Sequence, residues 1–182
     1  MMKYEKIGVF LSANSQVDDI CHQAVREVGE WIGRTRRTLI YGGAKKGLME
    51  ELAQATKQNG GRIFGVVPEI VVNRNLVSET LDVTIRTVDL ADRKSIIIEK
   101  SDILLALPGG VGTLDEIFTA LSMASIGYPS KRVVLYNPHG FWNSLLDLFA
   151  DLHHKGMLRD RPQDLLSVVE NLEELQQLLD GE

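Results

Sequence analysis

The run Pro108-Gly109-Gly110-Val111-Gly112-Thr113-Leu114-Asp115-Glu116 holds the residue types best suited to chemistry in this chain. Ile103 to Leu107 before it reads as a buried strand and Ile117 to Leu121 after it as a helix face, so its glycines fall at a strand-to-helix junction. Glycine there lets the backbone turn sharply and come close to a ligand. The free N–H groups and positive dipole end of the new helix then make a site for a phosphate. The backbone N–H groups of Gly109, Gly110 and Gly112, with the Thr113 hydroxyl, are the candidate contacts. Asp115 and Glu116 set two carboxylates beside that cradle, which suits chemistry on the sugar of a nucleotide.

The same residues have plainer readings. Thr113-Leu114-Asp115-Glu116 also spells a capping box, in which the glutamate returns to the amide of an N-cap threonine. Asp115 reads as a helix-dipole residue. Arg93-Lys94 reads as a solvated helix face paired with Asp89 or Glu99. Gly42-Gly43 serves as a plain turn or as a close approach to a ligand. His22, His139, His153 and His154 have no ligand-spaced partners, so no metal site is expected. Trp31 and Trp142 sit in helical stripes as core residues.

Strand and helix patterns alternate along the chain, which predicts a single α/β Rossmann-like doubly wound domain over residues 1–182, with a mostly parallel sheet of about seven strands and helices on both faces. Strands are expected at Lys6–Leu11, Thr38–Tyr41, Arg62–Val67, Val83–Val88, Ile103–Leu107, Arg132–Tyr136 and Leu166–Val169. Helices are expected at Val17–Arg34, Gly47–Asn59, Leu90–Lys100, from near Thr113, Phe141–His154 and Leu172–Leu179. Glu69 to Leu81 has no clear period and reads as a loop. In such sheets ligands bind beyond the carboxyl ends of the strands. Ser12-Ala13-Asn14-Ser15, Gly42 to Gly47, Asp92-Arg93-Lys94 and the Pro108 to Glu116 turn all fall at those ends, so Arg93 and Glu116 can face one cleft.

The 182 residues are 44% apolar with a net charge of −5. That charge argues against a nucleic-acid polymer as partner, whose backbone needs a basic surface, while leaving room for a small anion. Apolar runs such as Ile96-Ile97-Ile98 fall far short of the ~20 residues that span a bilayer, so no membrane is expected. The lone Cys21 excludes an internal disulfide framework and fits a cytoplasmic location. Met1 to Lys6 leads straight into a strand, so no signal peptide is expected.

Three spaced motifs together resemble the LONELY GUY (LOG) family, once widely called "lysine decarboxylase". Pro108 to Glu116 matches its Pro-Gly-Gly-x-Gly-Thr-x-x-Glu motif in full, Arg93-Lys94 its Arg-Lys pair, and Tyr41 to Met49 its Tyr-Gly-Gly-x-x-x-Gly-Leu-Met segment. The similarity runs from about Ile7 to His154. The resemblance implies a cofactor-independent phosphoribohydrolase that cleaves the N-glycosidic bond of a purine nucleoside 5′-monophosphate, cytokinin-type or AMP, giving free base and ribose 5-phosphate. It implies a homodimer with active sites near the interface. It assigns catalysis to Glu116 and Arg93, phosphate binding to Gly109, Gly110, Gly112 and Thr113, and substrate contacts to Ser12, Asn14, Gly42, Gly43 and Lys94. Glu116 would anchor the ribose hydroxyls, stabilise positive charge on the sugar or act as base toward water.

Three positions depart from the family pattern: Ala44 where a glycine is common, Glu50 where another glycine follows Leu-Met, and Leu90 near the usual methionine. An alanine forced to positive φ would be strained. A carboxylate at Glu50 would oppose an anion unless it turns away or pairs with Lys45 or Lys46. The rival from another class is a non-catalytic nucleotide or molybdenum-cofactor carrier of the same fold. A dinucleotide-dependent oxidoreductase is disfavoured because no Gly-x-Gly-x-x-Gly follows the first strand. No motif identifies a pyridoxal-phosphate lysine.

Overall fold

Apolar runs bounded by Gly, Pro and charged residues become the strands of this chain, seen in a computed structural model that describes residues 4–129, 131–158 and 160–181. The reading of Met1-Met2-Lys3 lies outside the described residues. The strands are β1 (Lys6–Phe10), β2 (Thr38–Tyr41), β3 (Arg62–Pro68), β4 (Val83–Thr87), β5 (Ile103–Ala106), β6 (Val133–Tyr136) and β7 (Leu166–Val169). They form one seven-stranded sheet in the order β4-β3-β2-β1-β5-β6-β7, and every pairing is parallel.

Parallel strands are covered on both faces, so their side chains alternate between two cores. Ile103 and Leu105 join Ile7, Val9, Leu39 and Tyr41 under the helices α1 (Asp19–Arg34), α2 (Gly47–Gln58) and α8 (Leu172–Asp180). Leu104 and Ala106 join Phe10, Ile40 and Val66 under α4 (Leu90–Lys100), α5 (Val111–Ser125) and α6 (Asn143–His154). Trp31 and Trp142 are both core residues, each 3% exposed. Two short helices, α3 (Glu69–Asn73) and α7 (Pro162–Leu165), complete the helical elements with a 3₁₀ turn at Pro138–Gly140.

Two expectations are corrected. The stretch read as a loop from Glu69 holds α3, which buries none of its five residues and so shows no apolar stripe. Helix α5 starts at Val111, with Gly110 as N-cap and no side-chain cap bond, so Thr113 lies inside the first turn. The capping-box reading of Thr113 and Glu116 is therefore wrong.

Arg37, 1% exposed, fastens the C-terminal helix to the sheet. Its Nε donates to the Tyr4 carbonyl at 3.0 Å, its Nη2 to the Asp180 carboxylate, and its guanidinium lies 4.6 Å from the Trp31 ring centre. The strand order reverses between β1 and β5. There the loops leaving the two strands diverge to opposite faces and open a crevice.

Candidate functional site

The crevice at the β1–β5 switch is a cleft of about 440 Å³. Leu11, Ser12, Ala13 and Asn14 line it from the loop after β1, Lys46 and Met49 from the start of α2, Leu90, Arg93 and Lys94 from α4, and residues 110–113 with Asp115 and Glu116 from α5. The two loops are tied together where they leave the sheet: Ser12 N donates to the Pro108 carbonyl at 3.4 Å. Ser12 Oγ accepts from Asn14 N at 3.0 Å, and Asn14 Oδ1 accepts from Gln16 N at 3.0 Å, so these side chains shape their own turn. His22 holds that loop to α2, contacting the Ser15 carbonyl at 3.2 Å and Glu51 Oε2 at 2.6 Å. The Glu51 bond raises the His22 pKa above its ordinary value.

The first turn of α5 presents unpaired donors to the cleft. The first intrahelical bond is donated by Leu114 N to the Gly110 carbonyl, leaving the N–H groups of Val111, Gly112 and Thr113 at the positive end of the helix. The Thr113 hydroxyl is buried without a hydrogen-bond partner. A side chain at Gly110 or Gly112 would meet nothing within 4 Å, so both glycines face open space. Gly109 is different. It lies under the turn, where a Cβ would come within 2.1 Å of Thr113 Oγ1.

Glu116 and Arg93 meet at the floor. Arg93 Nη2 donates to Glu116 Oε1 at 2.9 Å, with the two side chains 14% and 7% exposed. Burial raises the Glu116 pKa to about 7, opposed by the Arg93 charge, assisted by Asp115 and opposed again by Lys94. A carboxyl balanced near neutrality beside a fixed cation can accept or give up a proton. Lys94 reaches across to Asp115, its Nζ 2.8 Å from Oδ1 and 2.7 Å from Oδ2. Both bonds join α4 to α5, so Arg93-Lys94 is not a solvated face paired with Asp89 or Glu99.

Of the residues picked from sequence, Ser12, Asn14, Arg93, Lys94, Gly110, Gly112, Thr113 and Glu116 line the cleft, and Gly109 supports the turn from below. Gly42 and Gly43 do not line it. Gly42 lies against the Arg93 guanidinium, and Gly43, at φ +67°, packs on Val67 and Gly65. Lys46, Met49 and Val111 also line the cleft; they fall in stretches that the sequence placed at the strand ends or in a motif, but it assigned them no contact, because the direction of a side chain at the start of α2 leaves no local signal. The departures from the family pattern are accommodated. Ala44 has ordinary negative φ and bridges to Val77, while Lys45 pairs with Glu79. Glu50 is not on the cleft wall; its Oε1 accepts from Gln54 at 3.2 Å, while its Oε2 is buried without a partner and is the one point of these departures left unsatisfied. Leu90 is half-exposed at the mouth. Among the described residues no group of three or more His, Cys, Asp or Glu is arranged to hold a metal, and no helix is long and apolar enough to cross a membrane.

Known proteins share this architecture. A family whose model is described as "Possible lysine decarboxylase" matches residues 49–179. A cytokinin riboside 5′-monophosphate phosphoribohydrolase of Arabidopsis thaliana is 29% identical over 179 residues, covering 98% of this chain and 78% of the relative. A probable enzyme of the same name from Oryza sativa subsp. japonica is 31% identical, covering 94% and 79%. Among solved structures, the molybdenum cofactor binding protein of Rippkaea orientalis superposes with a TM-score of 0.76 at 25% identity, covering 100% of this chain and 98% of that one. The molybdenum cofactor carrier protein of Chlamydomonas reinhardtii gives 0.72 at 26% identity, covering 96% and 98%.

Proposed function

Because the chain belongs to the LONELY GUY (LOG) family, we propose that it is an N-glycosyl hydrolase acting on purine nucleoside 5′-monophosphates, AMP or a cytokinin riboside monophosphate. The observation that carries this reading is the buried Arg93–Glu116 pair set beside the open first turn of α5. The phosphate sits on the N–H groups at residues 110–113 with the Thr113 hydroxyl, which fixes the sugar over the floor of the cleft. Water adds to C1′ as the C1′–N bond breaks. Glu116 takes the proton from that water, and the departing base takes up a proton, leaving ribose 5-phosphate. Arg93 stays charged throughout and supplies a fixed hydrogen-bond donor.

A carrier reading has one observation behind it, since the similar solved structures named above are molybdenum cofactor binding proteins. A carrier has no need to bury an ion pair beside its anion site, a costly arrangement characteristic of catalytic centres. The family's description names a decarboxylase, whose usual pyridoxal cofactor does not fit the residues present. Lys94 is engaged by both oxygens of Asp115, and Lys46 lies exposed on the rim.

The reading includes a cytoplasmic homodimer. Phe118, Ile126 and Tyr128 leave apolar side chains exposed along and beyond α5. Light scattering coupled to gel filtration tests that point. Chromatography of AMP and isopentenyladenosine monophosphate incubated with the protein and with Glu116→Gln tests the reaction. Free base and ribose 5-phosphate from the parent protein, absent with the variant, are expected. Retention of nucleotide without cleavage favours the carrier.

A further inference from the structure

We infer that Gly42 is a positioning residue whose missing side chain forms the seat of the Arg93 guanidinium and so sets the Arg93–Glu116 pair. The inference rests on the hydrolase reading for its consequence in catalysis, but the seat itself is a matter of geometry. A Cβ built at Gly42 would lie 2.4 Å from Arg93 Nη2, 2.9 Å from Cζ and 3.2 Å from Nε, and these are its three nearest neighbours. Nη2 is the nitrogen that holds Glu116. Arg93 Nε is buried without a partner, so packing against Gly42 rather than a second hydrogen bond is what fixes the plane of the guanidinium.

The backbone under the seat cannot retreat. Gly43 behind it has φ +67°, and a Cβ there would lie 2.5 Å from Val67 and 3.0 Å from Gly65 Cα. Ser78 N donates to the Gly43 carbonyl at 2.9 Å, and Lys45 N donates to the Leu76 carbonyl at 2.7 Å, pinning the segment from its outer side. When Gly42 gains a methyl group, the side chain must therefore yield and the strand end stays. A flexible side-chain tip moves at small cost, so Gly42→Ala folds with Arg93 displaced.

Displacement removes the nearest cation from Glu116. The charged groups facing Glu116 are Arg93 and Lys94 from α4 and Asp115 from its own helix, with Lys46 of α2 on the same cleft. Arg93 opposes the upward pull of burial, so its loss moves the Glu116 titration further up, by about 1–3 units for a close opposite charge.

The test is carboxyl titration of Glu116 by ¹³C NMR in the parent protein, Gly42→Ala, Arg93→Ala and the double variant, with melting temperatures of all four. The expected result is an upward shift in Gly42→Ala, the same direction in Arg93→Ala, and no further shift in the double variant. The melting temperature lost on adding the methyl group should vanish in the Arg93→Ala background, where nothing obstructs it. An unmoved titration in Gly42→Ala overturns the inference, as does an equal loss of stability in both backgrounds, which would mean that the glycine serves the backbone. A parent protein that cleaves no nucleotide while Gly42→Ala still shifts Glu116 would remove the hydrolase reading and leave the seat intact. With activity present, the acid limb of the kcat profile moves with the titration.

Discussion

Glu116→Gln should make this protein more stable at alkaline pH, because the native fold holds that carboxylate under protest. In the folded chain its pKa is raised from 4.5 to about 7, burial being the main cause. A carboxyl with a raised folded pKa carries no penalty below its unfolded value and the full penalty above its folded one. The rise corresponds to about 3 kcal/mol, accumulating between pH 4.5 and 7. Glu116 is 5% exposed, so water screens little of it. Glutamine resembles the protonated acid and its amide oxygen can still accept from Arg93 Nη2. The variant should therefore match the parent protein near pH 4 and melt about 6–12 °C higher at pH 8, at roughly 2–4 °C per kcal/mol for a chain of this size. Thermal unfolding of both proteins across pH 4 to 8 measures it. A Glu116→Gln variant less stable at pH 8, or a difference that does not change with pH, would refute the argument that burial dominates over the Arg93 attraction.

Gly112→Ala should fold at least as well as the parent, since its Cβ meets nothing within 4 Å and alanine is favoured in helices by up to about 1 kcal/mol; its KM for a nucleoside monophosphate should rise about tenfold or more through the methyl group on the anion turn, whereas Gly109→Ala loses stability against Thr113. Asp180→Ala should cost about 1–3 kcal/mol in urea unfolding because Arg37 is left buried with its charge unpaired, and Arg37→Met should cost less because Asp180, half open to solvent, can hydrate. His22 titrates above its ordinary 6.5 in the fold, so its tie to Ser15 and Glu51 stabilises fully below that value and is lost as pH rises through the folded one. Protection factors of the amides at residues 12–16, corrected for their intrinsic exchange rates, should fall over that window, and protection that stays constant would contradict the tie.

The strands were legible because buried parallel strands are apolar runs cut off by Gly, Pro and charge. Ile103 to Leu107 and Arg62 to Val67 each differ from the observed strand by one residue. Helix α3 was not legible, since a five-residue helix that buries nothing leaves no periodicity to find. The start of α5 was misread for a different reason. Gly112 argues against helix by propensity, yet the turn draws it into the helix, and Thr113 then mimics an N-cap that Gly110 actually supplies. Cleft membership followed from topology and placed Arg93 and Glu116 correctly on one cleft. The partners within it did not follow. That Lys94 spends its charge on Asp115, or that Gly42 lies under Arg93, depends on how two helices and a strand end dock, and no local pattern of residues records it.

The reversal of strand order has a consequence for how the chain is assembled. β1 pairs with β2 through Ile7 and Leu39 on one side, but its other side waits for Ile103. While the first hundred residues leave the ribosome, the strand destined for the middle of the sheet is an open edge, apolar on both faces and primed to pair with another chain. The loop closure needed to cover it is among the longest in the molecule, which slows that step. Nothing bound in the cleft can assist the first half, because the α5 turn that lines it has not yet been synthesised. Synthesis of β5 and the turn after it thus covers the open edge of β1 and completes the wall of the cleft together.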